Sequence, residues 1–250
     1  MQWFENDDHW KALYPFIFEE ETFISAQSEV DNLLRLAGLS HGRVLDLCCG
    51  PARHALILAQ MGFEVTGVDR SPFLLSRAKE RVGSAGQTVE FVEADMREFL
   101  RPSSFDLVLN LYTSFGYLPN PEDDLDLLCT IQRNLRPGGI FVIEVLNKEF
   151  LLASKQPTLW DEALDGSLSI QHYDVLPGCS RIQIQWVLVQ NDKTSRFKYE
   201  HNVYSGPDLE QMLHVAGFDQ IRLFGGLQGR PFDPRAARII AVAQRATSTR

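Results

Sequence analysis

Residues 43–54 read RVLDLCCGPARH. Val44, Leu45 and Leu47 form a short apolar run with Asp46 inside it. Cys48, Cys49, Gly50, Pro51 and Ala52 follow as a turn of small residues, and a helical pattern runs from Arg53 to Met61. The order is strand, tight turn, helix. Small residues at Cys48, Gly50 and Ala52 let a ligand approach the backbone, while the unpaired N–H groups of the following helix point at the same spot. The stretch predicts a nucleotide-like ligand.

Asp46 narrows the choice of nucleotide. In a dinucleotide site the pyrophosphate lies over this turn, and a nearby carboxylate repels it. S-adenosylmethionine has no phosphate; its sulfonium and ammonium are attracted by an acid. Asp46, Cys48, Gly50 and Ala52, at alternate positions, resemble the first motif of the class I S-adenosylmethionine-dependent methyltransferases, with Cys48 and Ala52 where two glycines are commonest.

Downstream, Phe63 to Asp69 alternates and is rich in β-formers, a second parallel strand with Asp69 at its C-terminal end. An acid there accepts from both hydroxyls of an unphosphorylated ribose, in NAD and S-adenosylmethionine sites alike. Arg70 follows it as a further cofactor-binding candidate, and Ser71 reads as the N-cap of a helix from Pro72. Val89 to Ala94 reads as a third strand, closed by Asp95 and Met96. The resemblance implies that Asp95 accepts from the adenine amino group and that the Met96 backbone N–H donates to the ring. Phe105 to Asn110 is a fourth, buried strand. The polar and aromatic loop after it offers Asn110, Tyr112, Ser114 and Tyr117 beside the reactive methyl. It lacks the asparagine, proline, proline and tyrosine run of enzymes that methylate amide or nucleobase nitrogens. A helix from about Pro121 to Leu135 and a turn at Pro137, Gly138 and Gly139 lead into a fifth strand, Ile140 to Leu146.

Helices are expected from Met1 to Gly38, with an aromatic cluster that includes Trp3, Phe4 and Trp10. The resemblance makes this segment a cover for the cofactor, with Tyr14 and Gln27 toward the substrate. Between Asn147 and Tyr204 the pattern changes to alternation over Leu168–Val175, Arg181–Gln190 and Arg196–Tyr204, with turns at Pro177-Gly178 and Asn191-Asp192, a three-stranded antiparallel insert. A helix from about Pro207 to Ala216 and strands over Phe218–Phe224 and Arg238–Ala243 complete the pattern, with a frayed tail from Gln244.

Together these readings predict an α/β fold: one domain with a doubly wound, seven-stranded, mostly parallel sheet, its last strand antiparallel. It divides into a helical cap (1–40), a cofactor-binding core (41–146), a β insert acting as a lid (147–204) and the C-terminal part of the sheet (205–244). The implied activity is methyl transfer from S-adenosylmethionine to an O or N atom of a small molecule. An NAD-dependent oxidoreductase and a non-catalytic nucleoside-binding module are the alternatives. In-line displacement at a sulfonium draws mainly on proximity and orientation, and a base matters chiefly for a hydroxyl acceptor. Alternation puts Phe197, Tyr199, His201 and Val203 on one face. His201 is the leading candidate base, with Tyr112 also catalytic and His172 among the substrate-binding candidates; a hydrogen-bonded place inside the insert's own packing or in a dimer contact is the competing role for His201.

A formal charge of −9 and a pI near 5.2 disfavour nucleic acid as a partner. Four cysteines without paired spacing indicate neither a zinc site nor a disulfide framework, and no metal is expected. Cys48 and Cys49 are expected to pack as inert thiols. With no secretory pattern and no long apolar run, the expectation is a cytoplasmic protein away from membranes, a monomer or a homodimer through the insert.

Overall fold

The computed structural model describes residues 3–154, 158–163, 165–190 and 193–247. A 3-10 turn at Trp3–Glu5 precedes α1 (Asp7–Ile17), whose N-cap Asn6 accepts from the Asp8 N–H, and α2 (Glu20–Ala37) ends on Gly38 in the left-handed region. The core then alternates β1 (Arg43–Leu47), α3 (Arg53–Gln60), β2 (Glu64–Asp69), α4 (Pro72–Ser84), β3 (Glu90–Glu93), β4 (Phe105–Asn110), α5 (Pro121–Asn134) and β5 (Leu135–Leu146). Short α6 (Lys148–Ala153) leads to β6 (Thr158–Glu162), β7 (Leu168–Val175), β8 (Arg181–Gln190) and β9 (Lys193–Asn202). The chain closes with α7 (Gly206–Val215), β10 (Phe218–Phe224) and β11 (Arg238–Arg245).

The main sheet has seven strands in the order β10-β11-β5-β4-β1-β2-β3. All neighbours are parallel except β11, which runs antiparallel to both β5 and β10. The chain winds outward from β1 to β3, then returns to place β4 beside β1. That reversal opens a crevice at the C-terminal strand ends, where α/β sheets bind ligands. Alternation along each strand feeds two apolar layers. Leu45, Leu47 and Val108 face α5 and α7 through Leu128, Ile131 and Leu209. Val44, Leu107 and Leu109 face α2, α3 and α4 through Leu33, Leu58 and Ala78.

The insert differs from its expected form. It is a four-stranded antiparallel sheet in the order β6-β7-β8-β9. The added strand, β6, is exposed at every position, so it carries no alternation of apolar and polar residues. The last strand spans Lys193–Asn202 rather than Arg196–Tyr204, and the expected turn at Asn191-Asp192 lies outside the described residues. Ile182, Ile184, Trp186 and Leu188 of β8 form one buried face that packs on Leu13 and Phe16 of α1. The insert and the N-terminal helices thus share a core of their own above the sheet. At the C-terminus β11 continues through Gln244, whose side chain donates to the Gly138 carbonyl, where a frayed tail was expected. No described helix is long and apolar enough to cross a membrane.

Candidate active site

The turn after β1 is built from left-handed backbone at alternate positions: Cys48 (φ 60°), Gly50 (φ 52°) and Ala52 (φ 63°). For the two non-glycine residues this costs roughly 1–2 kcal/mol each. Hydrogen bonds hold the turn in place. The Cys49 N–H donates to the Val68 carbonyl (3.0 Å), the Gly50 N–H to Asp69 Oδ2 (2.9 Å) and the Ala52 N–H to the Cys49 carbonyl (3.1 Å). Asp69 Oδ1 also accepts from the Ser71 N–H (2.9 Å), so one carboxylate joins the ends of β1 and β2. Gly67 of β2 makes room for Cys49, because a Cβ there would lie 3.0 Å from the Cys49 sulfur. Burial and the neighbouring carboxylates push both thiols well above their usual range.

Beside this turn lies a cavity of about 370 Å³. One side is over the ends of β1, β2 and β3, lined by Asp46, Cys48, Gly50, Asp69, Asp95 and Met96. Asp46 is 3% exposed, and its Oδ2 has no hydrogen-bond partner among the described residues. Burial, then the charge of Asp69, pushes its carboxyl up to about 7 against the pull of Arg53. A buried carboxylate with one oxygen left without a partner favours a cationic ligand. Asp95 is held by Arg97 (2.6 Å) and Arg70 (2.8 Å), and Arg70 also reaches Glu5 (3.0 Å).

The opposite side lies over β4, β5 and β11 and is roofed by the insert. Thr113, Ser114 and Tyr117 come from the loop after β4, Gln171, Tyr173, Trp186 and Tyr199 from the insert, and Arg238 from the start of β11. Trp3 stacks on Tyr199, with ring centroids 4.3 Å apart and planes 16° apart, and meets Tyr117 edge-on at 5.1 Å. Burial pushes the Tyr117 phenol up to about 12 and the Tyr199 phenol well above its usual range. Both are neutral donors at physiological pH.

A charged cluster borders the cavity through Arg53, His54 and Tyr112. Glu29 of α2 accepts from the Tyr112 hydroxyl (2.7 Å), from His54 Nε2 (2.8 Å) and from Arg53 (3.2 Å), and the Arg53 guanidinium lies 3.4 Å from the Tyr112 ring centroid. Burial opposes ionisation of Glu29, but these donors and the Arg53 charge outweigh it and hold the carboxyl at about 2. Burial and Arg53 keep the His54 imidazole below its usual value, so it is neutral and donates through Nε2.

Of the residues singled out from sequence, Asp46, Cys48, Gly50, Asp69, Arg70, Asp95, Met96, Tyr112, Ser114 and Tyr117 line the cavity. Five do not. Ala52 is buried as the left-handed N-cap of α3, and Asn110 is buried with its amide donating toward the Leu47 carbonyl (3.4 Å). Tyr14 packs on Phe18 and Phe73. His172 bonds Thr158 and Asp174, because alternation along β7 turns Gln171 and Tyr173 to the cavity and His172 away. His201 is 1% exposed, its Nδ1 2.6 Å from the Asn202 carbonyl oxygen and its Nε2 3.3 Å from that of Thr113. It sits over Gly116, where a Cβ would lie 2.5 Å from the ring. Burial drives its pKa down to about 4. It packs under the loop after β4 and does not line the cavity. Gln27, also considered from sequence, bonds Asp31 outside it. Arg53, His54, Glu29, Gln171 and Arg238 went unnoticed, since polar residues scattered over four elements carry no local signal of convergence.

A family model described as "Methyltransferase domain" matches residues 44–139. A putative methyltransferase of Bacillus subtilis (strain 168), YqeM, is 31% identical over 210 residues, covering 82% of this chain and 84% of that protein. The chain belongs to the class I S-adenosylmethionine-dependent methyltransferases. The methyltransferase is also 28% identical to the cypemycin N-terminal methyltransferase of a Streptomyces species, over 90% of this chain and 97% of that one. In fold it matches an S-adenosylmethionine-dependent methyltransferase of Clostridium acetobutylicum ATCC 824, with a TM-score of 0.79 at 14% identity, covering 96% and 98% of the two chains. Membership of the family sets aside the nicotinamide reading. The residues present fit the family's cofactor: in the methyltransferase Asp46 lines the cavity, buried and with its Oδ2 lacking a hydrogen-bond partner among the described residues, which suits a cationic ligand.

Proposed function

We propose that this methyltransferase methylates the nitrogen of a small-molecule amine. S-adenosylmethionine supplies a methyl group on a sulfonium, already activated for displacement. In this reading Asp46 attracts the cationic methionine end. Asp69, aligned by two backbone N–H groups, takes the ribose hydroxyls, and the segment at Asp95 and Met96 borders the adenine. The four lone-pair positions of Asp95 already accept from Arg70 and Arg97, so an adenine amino group must compete with a guanidinium there.

The observation that carries the choice of nitrogen is the absence of a free imidazole facing the acceptor side, among the described residues. His201 is turned under the loop, His54 donates to Glu29, and the tyrosines are held neutral. An alcohol needs a base as it attacks; an amine that has given up its ammonium proton to water before the step brings its own lone pair, and the second proton is lost to water after the methyl is transferred. The rings of Trp3, Tyr117 and Tyr199 also suit an acceptor that gains positive charge as the sulfonium loses it. The similarity to an N-terminal methyltransferase points the same way. Helical cap, core and insert act as one unit in this reading, because all three line the cavity.

Incubation with methyl-labelled S-adenosylmethionine and matched pairs of amines and alcohols tests it. Label in amines alone supports it. Label in alcohols alone, or in no acceptor despite tight cofactor binding, overturns it.

A further inference from the structure

Four arginines line the cavity, and three are neutralised by nearby acids. Arg70 and Arg97 are bound to Asp95, Arg70 also to Glu5, and Arg53 is held by Glu29 and covered by the Tyr112 ring. Arg238 differs. Its one ion partner among the described residues is Glu144, through Nε at 3.7 Å, too long for a hydrogen bond, and its side chain is 41% exposed. Neither Nη atom has a hydrogen-bond partner among the described residues.

The sheet order fixes where this cation lies. The acids that border the donor stand over β1, β2 and β3, whereas Arg238 opens β11, opposite Leu146 at the end of β5. β11 is antiparallel, so its first residue falls at the edge where the parallel strands end. Arg238 therefore belongs to the acceptor side. Gln171 joins it there: its Oε1 accepts from the Tyr173 hydroxyl (2.9 Å), which leaves its amide N–H groups for a ligand.

We propose that Arg238 recognises an anionic group on the acceptor, and that the acceptor is an amine carrying a carboxylate. A guanidinium fork matches a carboxylate through two parallel hydrogen bonds. A phosphate brings close to two negative charges. On this side they would meet one guanidinium already shared with Glu144, so a single negative charge fits better. Burial holds the Glu144 carboxyl above its usual range, which weakens its claim on Arg238. The nitrogen of this acceptor rests on the amine reading above; its carboxylate rests on Arg238.

The test is calorimetric titration of the full chain, saturated with S-adenosylhomocysteine, with paired ligands: alanine and ethylamine, phenylalanine and phenethylamine, lactate and ethanol, and O-phosphoethanolamine. The carboxylate-bearing member of a pair is expected to bind roughly tenfold tighter or better, about 1.4 kcal/mol. That preference should disappear in Arg238→Met and survive in part in Arg238→Lys, with S-adenosylhomocysteine affinity as the check on folding. Equal binding within every pair, a preference that persists in Arg238→Met, no carboxylate binding at all, or tightest binding of O-phosphoethanolamine overturns the proposal. A preference for lactate over ethanol with neither amino acid bound keeps the role of Arg238 and overturns the amine reading instead.

Discussion

Trp3 stacks face to face on Tyr199, joining the start of the chain to the last strand of the insert across the roof of the cavity. Such a pair contributes about 0.5–1.5 kcal/mol beyond the area it buries, and both rings line the cavity. Trp3→Ala is expected to raise the KM for the acceptor severalfold while leaving S-adenosylhomocysteine affinity within about twofold. Equal losses for both ligands would show that the roof serves the donor as well.

Asp69 accepts two backbone N–H groups and lines the cavity. In Asp69→Ala, cofactor binding should weaken by roughly 1.5–3 kcal/mol, the range for hydrogen bonds to a charged partner. Titration of the folded variant with S-adenosylhomocysteine decides it, and unchanged affinity would remove Asp69 from the ribose.

The pH dependence of donor binding should follow Asp46. Its carboxyl is raised to about 7 in the free protein, so it takes up a proton in the folded state before the unfolded one. The free protein therefore loses stability as pH rises from about 4 through 7, where Asp46 ionises without a partner. A cationic ligand gains from that ionisation. S-adenosylmethionine affinity should rise from pH 6 to 7.5, and Asp46→Asn should flatten the profile. A wild-type profile flat over that range would argue against a cation beside Asp46.

His201 should matter for acid stability rather than turnover. Its folded pKa of about 4 lies below the unfolded value, so the unfolded chain takes up a proton first. Its contribution is complete above about pH 6.5 and is lost as pH falls toward 4, a change of roughly 3 kcal/mol. His201→Gln should flatten that acid limb in denaturant titrations and keep turnover per folded molecule. A large loss of kcat that grows above neutral pH would return His201 to the role of base.

The thiols offer a simple check of burial. Cys179 is exposed, whereas Cys49 is buried and both Cys48 and Cys49 are held far above the usual thiol range. An aromatic disulfide reagent should modify Cys179 first and reach Cys48 and Cys49 slowly, more slowly still with S-adenosylhomocysteine bound. Rapid modification of Cys48 regardless of ligand would mean that the turn opens.

The strand, turn and helix of residues 43–60, the acids at the ends of β1 and β2 and the succession of strands and helices in the core were legible because they depend on neighbours in the chain: apolar period, small turn residues, a cap at Ser71. Family resemblance then supplied the cofactor from the same local features. Alternation also placed Tyr199 and His201 correctly on one face of β9. It did not tell them apart. Tyr199 lines the cavity and His201 is buried over Gly116 because the seat of the insert on α1 and on the loop after β4 sets how far along that face the cavity reaches. The same holds for β6, an edge strand exposed throughout, and for Arg53, Glu29 and Arg238, which come from α3, α2 and β11. Period and spacing describe what one element buries. Which charges meet across a cavity is settled when separate elements pack, and nothing in the local sequence of any one of them records the other.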